Sequence, residues 1–255
     1  EQGENHLWMT MGQIKHFLDQ PLAVNFCARS VLAMLPALFS HASEFERYEY
    51  MTDKKLESNF LDKKNIAADS AKIVDLNTIK GWNYQNGSIS SKEKNNYSMI
   101  GVKVEGIGRE VPSWDQPLLM ESSKGEYGLL IGEIKNTKHI FWKLRNEPGL
   151  IDKVELGPSW INRSEQDESK SIGYLRSLSA QIIICNDLAE DGGRFYHSII
   201  SHKIFDVGDV AINNPLLSDL TPLTVKQTNE FMTKAGYFTS ESRSLWSLLK
   251  EDKFV

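Results

Sequence analysis

"WMTMGQIKHFL" occupies residues 8–18, and "PLTVKQTNEFM" occupies residues 222–232. At a shift of 214, residues 9–35 pair with residues 223–249 without a gap. Thr10/Thr224, Gln13/Gln227, Phe17/Phe231, Arg29/Arg243, Ser30/Ser244 and Leu35/Leu249 are identical. Each Thr-x-x-Gln has the spacing of a capping box, in which Thr accepts from the third helical amide and Gln reaches back to the Thr amide. Pro21 and Gly236 break the two helices. Asn25 and Thr239 suit the N-cap of a second helix in each copy. Helix grammar alone would give two unrelated hairpins. The Arg-Ser pair at equal distance from each box favours a repeat instead. The spacing therefore predicts a helical hairpin at each end of the chain.

Between the hairpins the texture changes twice. Residues 42–75 are charged and weakly periodic, a helix or connector. From residue 76, β-rich runs alternate with turn signals: "YSMIGVKVEG" (97–106), "YGLLIGEIKN" (127–136), "HIFWKLRNE" (139–147), "KVELGPS" (153–159), "AQIIICND" (180–187) and "RFYHSIISHKIFDV" (194–207). Polar "NRSEQDESKS" (162–171) reads as a loop. Strands grouped in the middle and helices at the ends predict an α+β fold with a mixed or antiparallel sheet.

Composition excludes several classes. The 255 residues are 40% hydrophobic and 25% charged, ordinary for a globular core. A net charge of −5 argues against a nucleic-acid partner, and "NFCARSVLAMLPALF" is too apolar for a recognition helix. No apolar run reaches membrane-spanning length, and no signal-peptide pattern opens the chain. Cys27 reads as helix core and Cys185 as strand core, so a disulfide is not expected and a reducing cytoplasm fits. No HxH, HExxH or CxxC spacing supports a metal, and no GxGxxG or P-loop follows a strand.

Three stretches hold residues suited to ligand chemistry. In "REVPSWDQPLL" (109–119), Pro112 and Pro117 oppose a central strand. A rigid turn there would present Trp114 and Gln116 to a base or sugar, unless the Trp only fills core. In "KLRNEPG" (143–149), strand alternation puts Lys143, Arg145 and Glu147 on one face, a phosphate-holding row or a solvated one. In "EDGGRFYH" (190–197), Gly192 and Gly193 allow close backbone approach before Arg194, Tyr196 and His197, unless they only turn a hairpin.

Taken in order, "WMTMGQI…NFCARSVLAMLP", "GVKV…REVPSWDQPLL", "EPGLIDKVELGPS" and "DGGRFYH" resemble the motifs of the NDP-4-keto-6-deoxyhexose 2,3-dehydratases. The resemblance covers residues 8–35 and about 79–249. Members look like two tandem Nudix-like modules. On that pattern residues 1–41 resemble the closing hairpin of a first module, 42–75 a connector, and 76–255 a Nudix-like module, a mixed sheet flanked by helices. The chain then looks like a half-length member. It departs from the pattern at Pro158-Ser159-Trp160-Ile161, where the family reads Pro-Thr-Val-Gln, and at Ala189-Glu190-Asp191-Gly192, where it reads Ser-Glu-Gln-Gly. "REV" at 109–111 lacks the acids of a working Nudix box, so metal-dependent pyrophosphate cleavage is not expected.

The resemblance implies a lyase eliminating water across C2 and C3 of an NDP-4-keto-6-deoxyhexose, the dTDP sugar by preference, without metal or redox cofactor. The alternative is a non-catalytic Nudix-like module that binds a nucleotide sugar. His197, Tyr196 and Glu147 are the candidates for proton transfer. Arg29, Arg109, Trp114, Gln116, Arg145, Ser159, Gly193 and Arg194 are the candidates for substrate binding. A homodimer is expected, because the apolar "VLAMLPALF" needs a cover.

Overall fold

A computed structural model describes residues 7–18, 20–35, 49–66, 72–91, 97–106, 111–150, 153–163, 165–211 and 213–249. Arg109, the "REV" stretch up to residue 110 and residues 36–39 of "VLAMLPALF" lie outside these residues.

Both hairpins form, and their boundaries repeat at the same shift of 214. Helix α1 (Met11–Leu18) matches α5 (Val225–Met232), and α2 (Phe26–Leu32) matches α6 (Ser240–Trp246). The Gln227 amide donates to Thr224 Oγ1 at 3.1 Å, and the Thr224 amide donates back to Gln227 Oε1 at 3.2 Å. Gln13 and Thr10 repeat the exchange at 3.3 and 2.8 Å. Asn25 Oδ1 accepts from the Ala28 amide, and Thr239 Oγ1 from the Ser242 amide, as the caps of α2 and α6.

Two sheets lie between the hairpins. Strands β1 (Trp82–Gln85), β2 (Ser88–Ser91), β3 (Tyr97–Glu105) and β4 (Ser113–Glu121) form a four-stranded antiparallel sheet in sequence order. The larger sheet holds β5 (Glu126–Ile134), β6 (Thr137–Asn146), β9 (Gln181–Ala189), β10 (Ile199–Asp209) and β11 (Thr221–Thr224) in the order β11-β6-β5-β10-β9. Short β7 (Val154–Gly157) pairs with β6, and β8 (Trp160–Asn162) with β5. Only β10 and β5 run parallel among these pairs, so the sheet is mixed.

Alternation along β5 sends Leu129 and Ile131 to one face and Leu130 and Ile134 to the other. The first face buries Trp142, Phe231, Phe238 and Trp246 against the hairpins and α3 (Asp53–Ile66). The second is covered by α4 (Glu165–Ser177) through Tyr174 and Leu175. This is the expected α+β arrangement, a mixed sheet flanked by helices with a hairpin at each end.

Local departures have physical causes. Residues 165–177, within and beyond the stretch read as a loop, form α4; its start looks like a loop because the apolar residues that touch the core, Tyr174 and Leu175, come only near its C-terminal end. Residues 113–121 form a strand rather than a turn, and Pro117 is tolerated because β4 is an edge strand of its sheet. Residues 53–66 of the connector form α3, and its Leu56 and Phe60 enter the core. Cys27 and Cys185 are exposed, not core: each lies on the outward side of its element.

Candidate functional site

The first strand of the large sheet carries Tyr127 as its second residue, and β9 ends just before Glu190. Antiparallel β9–β10 and parallel β10–β5 pairing bring these two residues, far apart in sequence, to the same end of the sheet. Both are buried. The Tyr127 hydroxyl is directed at the Glu190 carboxylate and favours its charged form. Burial outweighs that help and lifts the Glu190 carboxyl from 4.5 to about 7, with Glu241 adding repulsion. Glu190 Oε1 is fully buried without a hydrogen-bond partner among the described residues. Burial also pushes the Tyr127 phenol far up, so it stays protonated as a donor.

Cations and polar groups surround this pair. Arg163 Nη1 donates to Glu121 Oε1 at 3.3 Å and also to the Tyr97 hydroxyl. The Arg163 pKa is raised: desolvation alone would lower it, but the facing Tyr127, Tyr97 and Glu121 oxygens prevail. Ser198 donates to the other Glu121 oxygen. Arg145 packs over Gly157, where an added Cβ would stand 2.2 Å from Arg145 Cδ, and its Nη2 donates to the Pro158 carbonyl at 3.2 Å. Burial lowers its pKa against the fields of Glu147 and Glu241. His202 packs edge-on against Tyr127 at 5.2 Å, and burial drops its pKa to about 3, so it is neutral.

The residues singled out from sequence fall into two groups. Arg29 and Arg145 border the buried pair. Arg29 is completely buried and donates to Ser244 Oγ at 2.9 Å and to the Val24 and Ala189 carbonyls at 2.6 Å each. Glu147 is exposed beside Arg145. Trp114 Nε1 donates to Gln116 Oε1 at 2.6 Å, and Gln116 Nε2 to the Gly193 carbonyl at 3.0 Å. These form a rim with the exposed Arg194, Tyr196 and His197. Ser159 is taken up elsewhere: its hydroxyl donates to the Phe141 carbonyl at 2.6 Å and accepts from the Leu130 amide.

The rim is not built as a strand. Residues 192–198 turn, and β10 begins at Ile199. The Leu119 amide donates to the Arg194 carbonyl and the Tyr196 amide to the Leu119 carbonyl, at 2.8 Å each. His197 takes a φ of +51°, and its ring stacks on Tyr196 at 4.2 Å. Opposite strand faces therefore do not separate these two side chains. Sequence reasoning missed Tyr127, Glu190, Arg163, Tyr97 and Glu121. The signal that could have found Glu190 is that it, with Gly192, keeps the family residue in a stretch that departs at Ala189 and Asp191.

The family described as NDP-hexose 2,3-dehydratase matches residues 53–249, more than three quarters of the chain. The chain belongs to this family. Similar proteins include the dTDP-4-dehydro-6-deoxy-alpha-D-glucopyranose 2,3-dehydratases of Streptomyces violaceoruber, 29% identical over 91% of this chain and 54% of that protein, and Saccharopolyspora spinosa, 25% identical over 93% and 54%. The protein of the same description from Amycolatopsis orientalis is 22% identical over 95% and 51%. The chain thus spans about half the length of the dehydratases it matches. A solved structure described as an ADP compounds hydrolase aligns with 67% of this chain and 93% of its own, at 12% identity and a TM-score of 0.40. Within the dehydratase family match lie α3, both sheets and the second hairpin, and hence every residue of the buried pair and its rim.

Proposed function

We propose that this chain carries the site of a 2,3-dehydratase acting on an NDP-4-keto-6-deoxyhexose, the dTDP sugar by preference, in a Nudix-like frame. The observation that carries the reading is the Glu190–Tyr127 pair: a buried carboxyl poised near neutrality, with one unpartnered oxygen, beside a protonated phenol. The C3 proton lies α to the C4 ketone, so a modest base suffices if the enolate is stabilised. Glu190 takes this proton, and the C3–H electrons pass into the enolate. Tyr127 donates a hydrogen bond to the enolate oxygen. As the C2–C3 double bond forms, the C2 hydroxyl leaves, and the proton on Glu190 completes water. No hydride is moved. Arg163 and Arg145 hold the diphosphate, and Trp114 and Gln116 on the rim face the nucleoside. Tyr196 and His197 close the rim rather than act as base.

The test is incubation of the chain with dTDP-4-keto-6-deoxyglucose, following loss of water by mass spectrometry. Water loss is expected. Binding without water loss would favour a nucleotide-sugar-binding module, and no binding would remove both readings. The site is further proposed to work in a homodimer. Val31 is 57% and Leu35 38% exposed, whereas their repeat counterparts Leu245 and Leu249 are fully buried against the sheet, so the first hairpin presents a face that a second copy would cover.

A further inference from the structure

A second cleft, whose lining includes no residue of the buried pair or its rim, lies where β6 passes from pairing with β11 at Trp142 to pairing with β7 at Lys143. Helix α3 lies along this change of partner, and the cleft between them measures about 710 Å³, within the usual range of small-molecule sites. Lys55, Asn59 and Lys63 follow one another at i, i+4 spacing on α3 and all line the cleft. Lys143 enters from β6, held by Asp219 at 2.8 Å. Lys55 and Lys63 make no ion pair among the described residues. The cleft therefore gathers three lysines against one carboxylate in a chain of net charge −5. Tyr50, Ser218 and Leu220 are shared with an adjoining pocket of about 230 Å³ floored by Ile134 and Phe141. An anion-holding wall next to a recess with an apolar floor, Asn213 and Asn214 along its side and an aromatic at the junction is the chemistry of a phosphorylated base, whose ring stacks and whose edge hydrogen-bonds.

We propose that this cleft is a second ligand site, separate from the dehydratase site, that takes a nucleoside diphosphate: phosphates on Lys55, Lys63 and Lys143, and the base in the recess beside Tyr50. The phosphate contacts rest on charge, and the recess on ring packing against Tyr50 and the Ile134–Phe141 floor, so the parts can be tested apart.

Calorimetric titration of the whole chain with dTDP and with inorganic pyrophosphate reads both. Wild type is expected to bind dTDP at two sites. Lys55→Glu/Lys63→Glu is expected to weaken one of them, and pyrophosphate binding, about tenfold or more. Both positions are exposed, so folding should survive, and Lys63→Ala serves if the double variant does not fold. Tyr50→Ala should bring dTDP at that site down to the affinity of pyrophosphate, leaving pyrophosphate unchanged. The lysine variants should still eliminate water from the ketosugar. Unchanged dTDP and pyrophosphate affinities in the lysine variants would overturn this second site and leave the dehydratase reading standing. A single dTDP site, lost in the lysine variants, would keep the cleft and overturn nucleotide binding at Arg145 and Arg163.

Discussion

Glu190 titrates where the enzyme would work, and its titration ties chemistry to stability. A carboxyl whose folded pKa is raised stabilises the fold fully below its unfolded value and loses that contribution as pH rises through its folded value. For Glu190 the loss runs from about pH 4.5 to about pH 7. His202 has the opposite sign: its pKa falls from 6.5 to about 3, so its contribution is present above 6.5 and lost as pH falls toward 3. Glu190→Gln is therefore expected to melt above the parent beyond pH 7, with the gap closing toward pH 4.5. Thermal melts across that interval check the sign. Neither member of the pair was legible in sequence, for a reason that lies in packing. Tyr127 heads the apolar run of β5 and reads as core, Glu190 sits among turn residues and reads as solvated, and only the alignment of β5, β10 and β9 makes them neighbours. Arg29 and Arg145 were legible because a guanidinium in an apolar helix or an alternating strand stands out.

At the scale of elements, the hairpins were legible almost to the residue, because capping boxes and breaks are local chemistry. The helix α4 was not, because its period is carried by a few residues at one end. Arg29 joins the two hairpins through Ser244 and fixes the Ala189 carbonyl just ahead of Glu190. Arg29→Ala leaves buried acceptors without a donor and is expected to cost about 3 kcal/mol, measured by urea unfolding. Gly157 has a different role. A methyl there would stand 2.5 Å from Arg145 Nε as well as against Cδ, so Gly157→Ala should expel Arg145 without changing charge. Nucleotide-sugar affinity is expected to fall about tenfold, to the level of Arg145→Ala. Equal affinity to wild type would show that Arg145 does not hold the diphosphate.

On the scale of the whole molecule, the repeat sets the expectation for assembly. The exposed Val31 is expected to sit in a subunit interface, and Val31→Glu should shift sedimentation at micromolar concentration from dimer to monomer; a monomer in both would contradict it. The strand-rich middle between two hairpins was legible from texture alone, whereas the division into two sheets depends on long-range pairing that no local pattern encodes. The central claim is that Glu190 takes the C3 proton of a 4-ketosugar nucleotide. Its most direct measurement is deuterium wash-in at C3, followed by NMR in heavy water as a function of pH. Wild type is expected to exchange with a rate that rises through about pH 7 and levels above it, as the carboxylate forms. Glu190→Gln should exchange at least about a hundredfold more slowly, while His197→Asn keeps most of the rate. Exchange that persists in Glu190→Gln and vanishes in His197→Asn would place the base on the rim and contradict the account.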